Sequence, residues 1–377
     1  MSLNPSAFLA NYWQQRPMVI RGLFSGDPAP LDEHDLAGLA QEDDIDSRII
    51  RHQGAHWDVL HGPFDDFESA CQGQWTLLVQ AVDRHIPEAA TLFRPFSFLP
   101  HWRFDDLMVS FAVAGAGVGP HYDQYDVFLV QGKGRRRWRV GRPGDYPPVT
   151  PHPDLCQIEG FDAELEVELA PGDVLYIPPG WPHDGVALED CLTYSVGFRA
   201  PDTAGLSHLL AEHIATSGNS ARFADAQRKT TRNPACVTSQ ERAALKALLH
   251  DAIDSSSFDN ALMCFLSEQS LPVIPEAQPV DAQWVKQALE AGETFVPQPG
   301  CRPLYKDTLS ADPVVLYIDG EALTFPLSCR PLVDCLLSGK PITVNIFPAP
   351  PPLAICETLS TLINKGYWVP EAYLCAE

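Results

Sequence analysis

The stretch from Gly119 to Gly132, GPHYDQYDVFLVQG, decides how this 377-residue chain is read. Its second half, YDVFLVQ, has the apolar and aromatic make-up of a strand. If extended backbone reaches back through Asp123 to His121, period-two alternation puts that imidazole and that carboxylate on one face. Tyr125 and Val127 continue the face and either line the pocket that the pair confronts or are plain core residues. A second stretch, PGDVLYIPPGWPHDG from Pro171 to Gly185, presents another imidazole, His183, after a turn, a short apolar strand and a Pro-rich loop. Two histidines and a carboxylate are the donor set of an iron(II) facial triad, which fills three coordination positions and leaves the others open for a co-substrate and dioxygen. An HxD triplet alone is common, and a strand histidine is more often a hydrogen-bonded structural residue than a ligand. Context changes the balance: the triplet follows the Gly-rich GAGVG of residues 115–119, and ligands on adjoining strands gain rigidity that a loop site lacks. Trp181 and Asp184 flank His183 and are candidates for substrate contact, although a loop aromatic beside proline commonly just packs.

The strand RRRWRV, residues 135–140, indicates what fills the open positions. Arg136, Trp138 and Val140 share one face, and Arg135, Arg137 and Arg139 share the other. The first set suits an interior, so Arg136 points inward beside apolar residues. A buried guanidinium is costly unless paired, and a carboxylate ligand held by a bidentate fork is an economical partner. Arg136 is therefore assigned to the distal carboxylate of 2-oxoglutarate, the alternative being an internal Asp or Glu. Ser110, on the strand leading to the triplet, offers a hydroxyl to the same carboxylate, which its neighbour Ala112 cannot.

From Leu107 to Phe198 short apolar runs alternate with Gly and Pro signals: LMVSFAVA, YDVFLVQ, RRWRV, LEVEL, DVLYIP and LTYSVGF. That spacing predicts a jelly-roll sandwich or barrel. Before it, SAFLANYWQQ reads as helix, RPMVIRG as extended chain, and LDEHDLAGLAQ as a helix with acidic residues in its first turn. After Arg199-Ala-Pro helical patterns dominate in GLSHLLAEHIA, SQERAALKALLHDAI and FDNALMCFLSEQS. Their apolar stripes sit on segments too short to close a core alone, so they are expected to rest on the barrel or on a second copy in a homodimer. LPVIPEAQPV reads as a Pro-rich linker. Beyond it, a helix, the extended pair VVLYIDGEALTF and the helix ICETLSTLINKGYW have the order of a winged helix.

Composition bounds the function. Hydrophobic content of 45% and charged content of 20% are those of a globular protein, and 35 prolines imply many loops. No apolar run is long enough for a membrane span, and no basic leader precedes an apolar segment, so a cytoplasmic protein is expected. Ten cysteines without a CxxC pair suggest reduced, mostly buried thiols. A net charge of −23 repels nucleic-acid phosphates and attracts basic partners, although acidity can serve solubility alone. Winged helices often enter DNA grooves, but residues 281–377 hold 11 Asp or Glu against 6 Lys or Arg, which favours protein docking over direct DNA binding.

On these residues the chain resembles the Jumonji-C family of iron and 2-oxoglutarate oxygenases, and within it the bacterial ribosomal oxygenases. The likeness extends through FLANYWQQRPMVIRG, DSRIIRHQGAHWDVLHGPF, WTLLVQAV, GPHYDQYDVFLVQGKGRRRWRVG, PGDVLYIPPGWPHDG, YSVGFRAP and NKGYW. It thus spans nearly the whole chain. The resemblance implies an α+β protein with three parts: a double-stranded β-helix (jelly-roll, cupin-like) catalytic barrel with an N-terminal wrap over residues 1–202, a helical dimerisation region over 203–272, and a winged-helix-like domain over 273–377. By motif it implies iron ligands at His121, Asp123 and His183 and the co-substrate contact at Arg136. It also implies a substrate, an arginine of the sixteenth protein of the large ribosomal subunit, hydroxylated at the β-carbon. Ala112 stands where some relatives carry a hydroxyl, which touches the finer co-substrate contacts. Two other readings stay open: the same chemistry on another target, as histidine hydroxylation or lysine demethylation, and a cupin-like ribosome-assembly scaffold without turnover.

Overall fold

Strands of the N-terminal part bury both of their faces, and the two faces go to different cores. Val127 and Leu129 join one apolar cluster, whereas Phe128 and Val130, interleaved with them, join another. That is period-two alternation with apolar residues at every position, as expected of a strand covered on both sides. The computed structural model describes residues 3–25, 29–54, 56–218, 220–272, 278–307, 309, 312–347 and 351–374, in two units divided between Ala200 and Pro201.

The first unit runs α1 (Pro5–Asn11), β1 (Met18–Ile20), α2 (Glu33–Leu39), β2 (Ser47–Gln53), β3 (His56–His61), α3 (Phe67–Ala70), β4 (Gln74–Val79), β5 (Phe104–Ala112), β6 (Asp126–Lys133), β7 (Arg136–Gly141), β8 (Pro148–His152), β9 (Leu155–Ile158), β10 (Ala163–Leu169), β11 (Val174–Ile177), β12 (His183–Ala187) and β13 (Cys191–Phe198). An eight-stranded sheet has the order β1-β11-β6-β13-β5-β4-β2-β3, and a three-stranded sheet the order β10-β7-β12. Val127, Leu129, Leu175 and Ile177 of the large sheet pack with Trp138, Val140, Val167 and Leu169 of the small one, so the two sheets face each other. Among the described residues their hydrogen bonding leaves two sheets, not one closed cylinder.

The outer face of the large sheet is covered by the N-terminal segments. Asn4 caps α1 with Pro5 in its first turn, and Asp32 and Asp35 form a reciprocal capping box on α2. These short helices are held chiefly by what they bury: Phe8 and Leu36 enter the core beside Phe128, Tyr176 and Phe198. Full burial of one such side chain is worth about 1.5–3 kcal/mol.

The second unit runs α4 (Thr203–Ser217), α5 (Ser239–Ile253), α6 (Ser256–Ser267), α7 (Ala282–Glu290), β14 (Phe295–Pro297), β15 (Val314–Ile318), β16 (Glu321–Phe325), α8 (Arg330–Ser338), α9 (Leu353–Asn364), β17 (Trp368–Pro370) and α10 (Glu371–Leu374). Its core is built by α7, α8, α9 and the β15–β16 hairpin around Phe295 and Trp368. The sequence expected the helices after Arg199 to rest on the barrel or a second copy; within its own unit α6 touches β15 and β16. Tyr317 donates to Asn260 Oδ1 at 2.7 Å, and Gly320 N to Ser267 Oγ at 3.1 Å. Neither α4 nor α5 has a buried residue, and Leu245, Leu249 and Ile253, one face of α5, are 47%, 56% and 43% exposed. Residues 273–277 of the linker lie outside the described residues. No described helix is long and apolar enough to cross a membrane.

Candidate active site

Between the two sheets of the first unit lies a cavity of about 330 Å³, and His121, Asp123 and His183 stand on its wall. One ligand atom from each falls within 4.8 Å of the other two. His183 Nε2 is 3.7 Å from Asp123 Oδ2, and the two imidazole centroids are 4.3 Å apart. The sequence expected His121 and Asp123 inside a strand, but β6 begins only at Asp126 and the pair occupies the segment before it. His121 reaches its place through an isolated bridge to His183, with reciprocal N–H···O bonds of 3.0 and 2.8 Å. Pairing with β12, rather than alternation along β6, aligns the ligands. Gly119, at φ +81, takes a backbone conformation that favours glycine, and its carbonyl accepts from His121 Nδ1 at 2.9 Å. The Trp181 carbonyl accepts from His183 Nδ1 at 3.0 Å. A carbonyl can only accept, so both Nδ1 atoms carry a proton, which leaves Nε2 as the nitrogen of each ring available to a ligand. Burial, reinforced by His121, holds His183 well below the usual imidazole pKa against the pull of Asp123, which keeps it neutral.

Arg136 opens β7 and points between the sheets, 3% exposed. Its Nη1 donates to Ser110 Oγ at 3.3 Å and to Thr193 Oγ1 at 3.4 Å, and its Nη2 to the Gly185 carbonyl at 3.2 Å. Its guanidinium lies 4.8 Å from the centre of the Trp138 ring. Nε has no partner, and among the described residues no Asp or Glu forms an ion pair with Arg136. The internal salt bridge that the sequence left open is therefore absent among these residues. Gly185 is required at this point, because a Cβ there would come within 2.6 Å of the Trp138 ring. Ser110, Thr193, Arg136 and the three-residue cluster all line the same cavity.

Comparisons with known proteins show the family. A JmjC domain matches residues 91–206, and a ROXA-like winged helix matches residues 247–369. The ribosomal protein uL16 3-hydroxylase of Escherichia coli is 40% identical over 375 residues, 98% of each chain. The chain belongs to the JmjC ribosomal oxygenase family. The crystal structure of Escherichia coli YcfD superposes with a TM-score of 0.91 at 40% identity, covering 98% of both chains. A structure of the ribosomal oxygenase YcfD in complex with cobalt and 2-oxoglutarate gives 0.87 at 39% identity, again covering 98% of both.

Several residues of this ribosomal oxygenase chain escaped the sequence reading. Asp106 and Met108 alternate along β5 with Ser110, which the sequence had singled out, and all three line the cavity. Burial, then Asp105 and Asp83, lift the Asp106 carboxyl to about 6, although Ala81 N donates to it at 3.0 Å. Tyr125 and Val127, which the sequence had put on this face, both line the cavity, and burial followed by the Asp123 carboxylate pushes the Tyr125 phenol up. Thr193 was hidden within an ordinary strand pattern; only the register Ser110 to Thr193 across β5 and β13 brings both hydroxyls to one guanidinium. Trp181 packs against the intersheet core and Asp184 lies opposite Arg139 on β7; neither lines the cavity. Ala112 is buried in a small apolar cluster with Cys191 and leaves the polar contacts of Arg136 to Ser110, Thr193 and Gly185.

Proposed function

We propose that this chain is an iron(II)- and 2-oxoglutarate-dependent protein hydroxylase that acts on the β-carbon of an arginine in ribosomal protein uL16. One observation carries the reading: the guanidinium of Arg136 is buried, lacks an ionic partner among the described residues, and faces the cavity on whose wall two imidazoles and a carboxylate converge. Leaving a charge buried without a counter-charge costs several kcal/mol, so a site of this kind fits a ligand that brings a carboxylate. The donor set fits iron(II), and cobalt, held with 2-oxoglutarate in the YcfD structure, is its neighbour in the first transition row.

His121, Asp123 and His183 would hold the metal, and Arg136 with Ser110 and Thr193 would grip the far carboxylate of 2-oxoglutarate. When bound, metal and co-substrate supply the oxidising chemistry with dioxygen, leaving succinate and carbon dioxide. The protein orients. His183, held neutral by burial, presents its Nε2 lone pair without first losing a proton, and the Gly119 and Trp181 carbonyls fix the two ring planes. Asp106 offers a carboxylate to a cationic target side chain, while Met108 and Tyr125 line the cavity beside it. An acidic surface would speed encounter with a basic ribosomal protein.

The wider assignment follows the same reading: residues 1–202 are catalytic, 203–272 mediate a homodimer, and 273–377 dock protein, with no direct DNA contact and a cytoplasmic location. Support for the dimer is the uncovered stripe Leu245, Leu249 and Ile253 on α5. The deciding experiment incubates the iron-loaded protein with 2-oxoglutarate and uL16 and follows intact and fragment mass. A gain of one oxygen on one arginine is expected. Loss of a methyl group, oxygen on a histidine, or no substrate-dependent succinate would each sink it.

A further inference from the structure

Arg48 is a second arginine on the wall of the same cavity with no use in the scheme above. It lies in the register row Arg48, Leu78, Ser110 and Thr193 across β2, β4, β5 and β13, all four of which line the cavity. Two strand spacings, about 10 Å, separate it from the serine that Arg136 contacts. Its Nε is buried and without a partner, and among the described residues Arg48 forms no ion pair. Of the carboxylates lining the cavity, Asp154 meets His61 at 3.1 Å, Asp123 meets His183 at 3.7 Å, and Asp106 accepts from Ala81 N at 3.0 Å. A guanidinium half withdrawn from water with idle donors is a site for an acceptor that arrives with a ligand. Two strands from Ser110, Arg48 makes none of the contacts that join Arg136 to Ser110, Thr193 and Gly185, which sets it apart from that group. Asp106, Asp123 and Asp154 share the cavity, so a carboxylate side chain entering from the substrate would meet repulsion, whereas a neutral carbonyl would not.

Resting on the hydroxylase reading, we propose that Arg48 is a specificity-determining residue that donates to a main-chain carbonyl of the bound substrate peptide. It reads that the ligand is a peptide, while Asp106 reads the charge of the target side chain. Arg48→Met keeps the bulk of the stem and removes the donors. The test measures binding of a fluorescent uL16 peptide to the cobalt- and 2-oxoglutarate-loaded protein, wild type against R48M, with 2-oxoglutarate affinity measured in parallel. Peptide affinity is expected to fall about 10- to 100-fold, as for loss of a hydrogen bond to a charged group. Affinity for 2-oxoglutarate stays at the wild-type value, and R48K recovers part of the loss. Equal peptide binding by R48M, or a loss that appears in 2-oxoglutarate affinity, would overturn the role of Arg48 alone. If neutralising one acidic residue of the peptide abolishes the difference between wild type and R48M, the acceptor is a side chain and the main-chain assignment is wrong. No peptide binding by wild type would overturn the substrate reading and this role together.

Discussion

Arg103 and Arg136 are both largely buried in the first unit, yet they end in opposite circumstances. On the outer side of the large sheet, Arg103 Nη2 meets Asp126 Oδ2 at 2.9 Å, and Asp126 also accepts from Tyr176 Oη at 2.6 Å and Gln14 Nε2 at 3.0 Å. Between the sheets, Arg136 meets two hydroxyls and one carbonyl, all neutral. In the first case the fold completes its own charge, and the arginine pins the N-terminal wrap to β6 at Asp126, three residues from Asp123. In the second no carboxylate among the described residues pairs with the charge, which supports the proposal that the counter-charge arrives with the co-substrate. Burial alone does not separate structural from functional arginines; the presence or absence of a carboxylate does.

The largest effect should come from the groups that face the cavity as ligands. Asp123→Ala and His183→Ala are each expected to abolish 2-oxoglutarate-dependent succinate release and to weaken cobalt binding by orders of magnitude, with circular dichroism and unfolding midpoint retained. Turnover at the wild-type rate in either variant would remove that residue from the site. Next comes Arg136→Met. Loss of a charge-assisted fork should raise the 2-oxoglutarate KM about 100-fold or more, which is roughly 3 kcal/mol. Because no partner charge is orphaned, the apo-protein should be no less stable than wild type. Asp126→Ala should do the reverse: strand the Arg103 guanidinium, cost about 3–5 kcal/mol of stability, and leave 2-oxoglutarate affinity alone in the fraction that stays folded. If urea unfolding showed Arg136→Met to be the more damaging of the two, the contrast between the arginines would be false.

Much of the site could be read from residue type and spacing, because its chemistry is dictated by few groups. His121, Asp123 and His183 stood out as a donor set, and the alternation in RRRWRV turned Arg136 inward. What stayed hidden depends on register between strands. Thr193, Asp106 and Arg48 look like ordinary strand residues until β2, β4, β5 and β13 are aligned, and alignment is set by contacts between segments far apart in sequence. The extended backbone expected through His121 and Asp123 failed for the same reason: a bridge to His183 holds that segment, not continuation of β6. In the second unit, the apolar faces of α4 to α6 announced packing but not its object, because a stripe carries no address.

The smallest expected effect lies at Asp106, where function and stability pull against each other. Its carboxyl has a pKa of about 6 against an ordinary 3.8, chiefly because burial disfavours the anion. Between those values the folded protein keeps a proton that the unfolded chain has lost, so this group makes stability fall as pH rises through that window. Asp106→Asn should remove the penalty and stabilise the apo-protein above pH 6 by on the order of 1–3 kcal/mol, the gain fading as pH drops below 4. Substrate affinity should move the other way. If the anion meets a cationic target, wild-type KM for uL16 rises as pH falls through 6, whereas Asp106→Asn shows a uniformly high KM with little pH dependence. A wild-type profile that is flat across that range, or a variant that binds uL16 as well as wild type, would mean that Asp106 completes its charge within the fold as Asp126 does, and would place it on the structural side of the comparison.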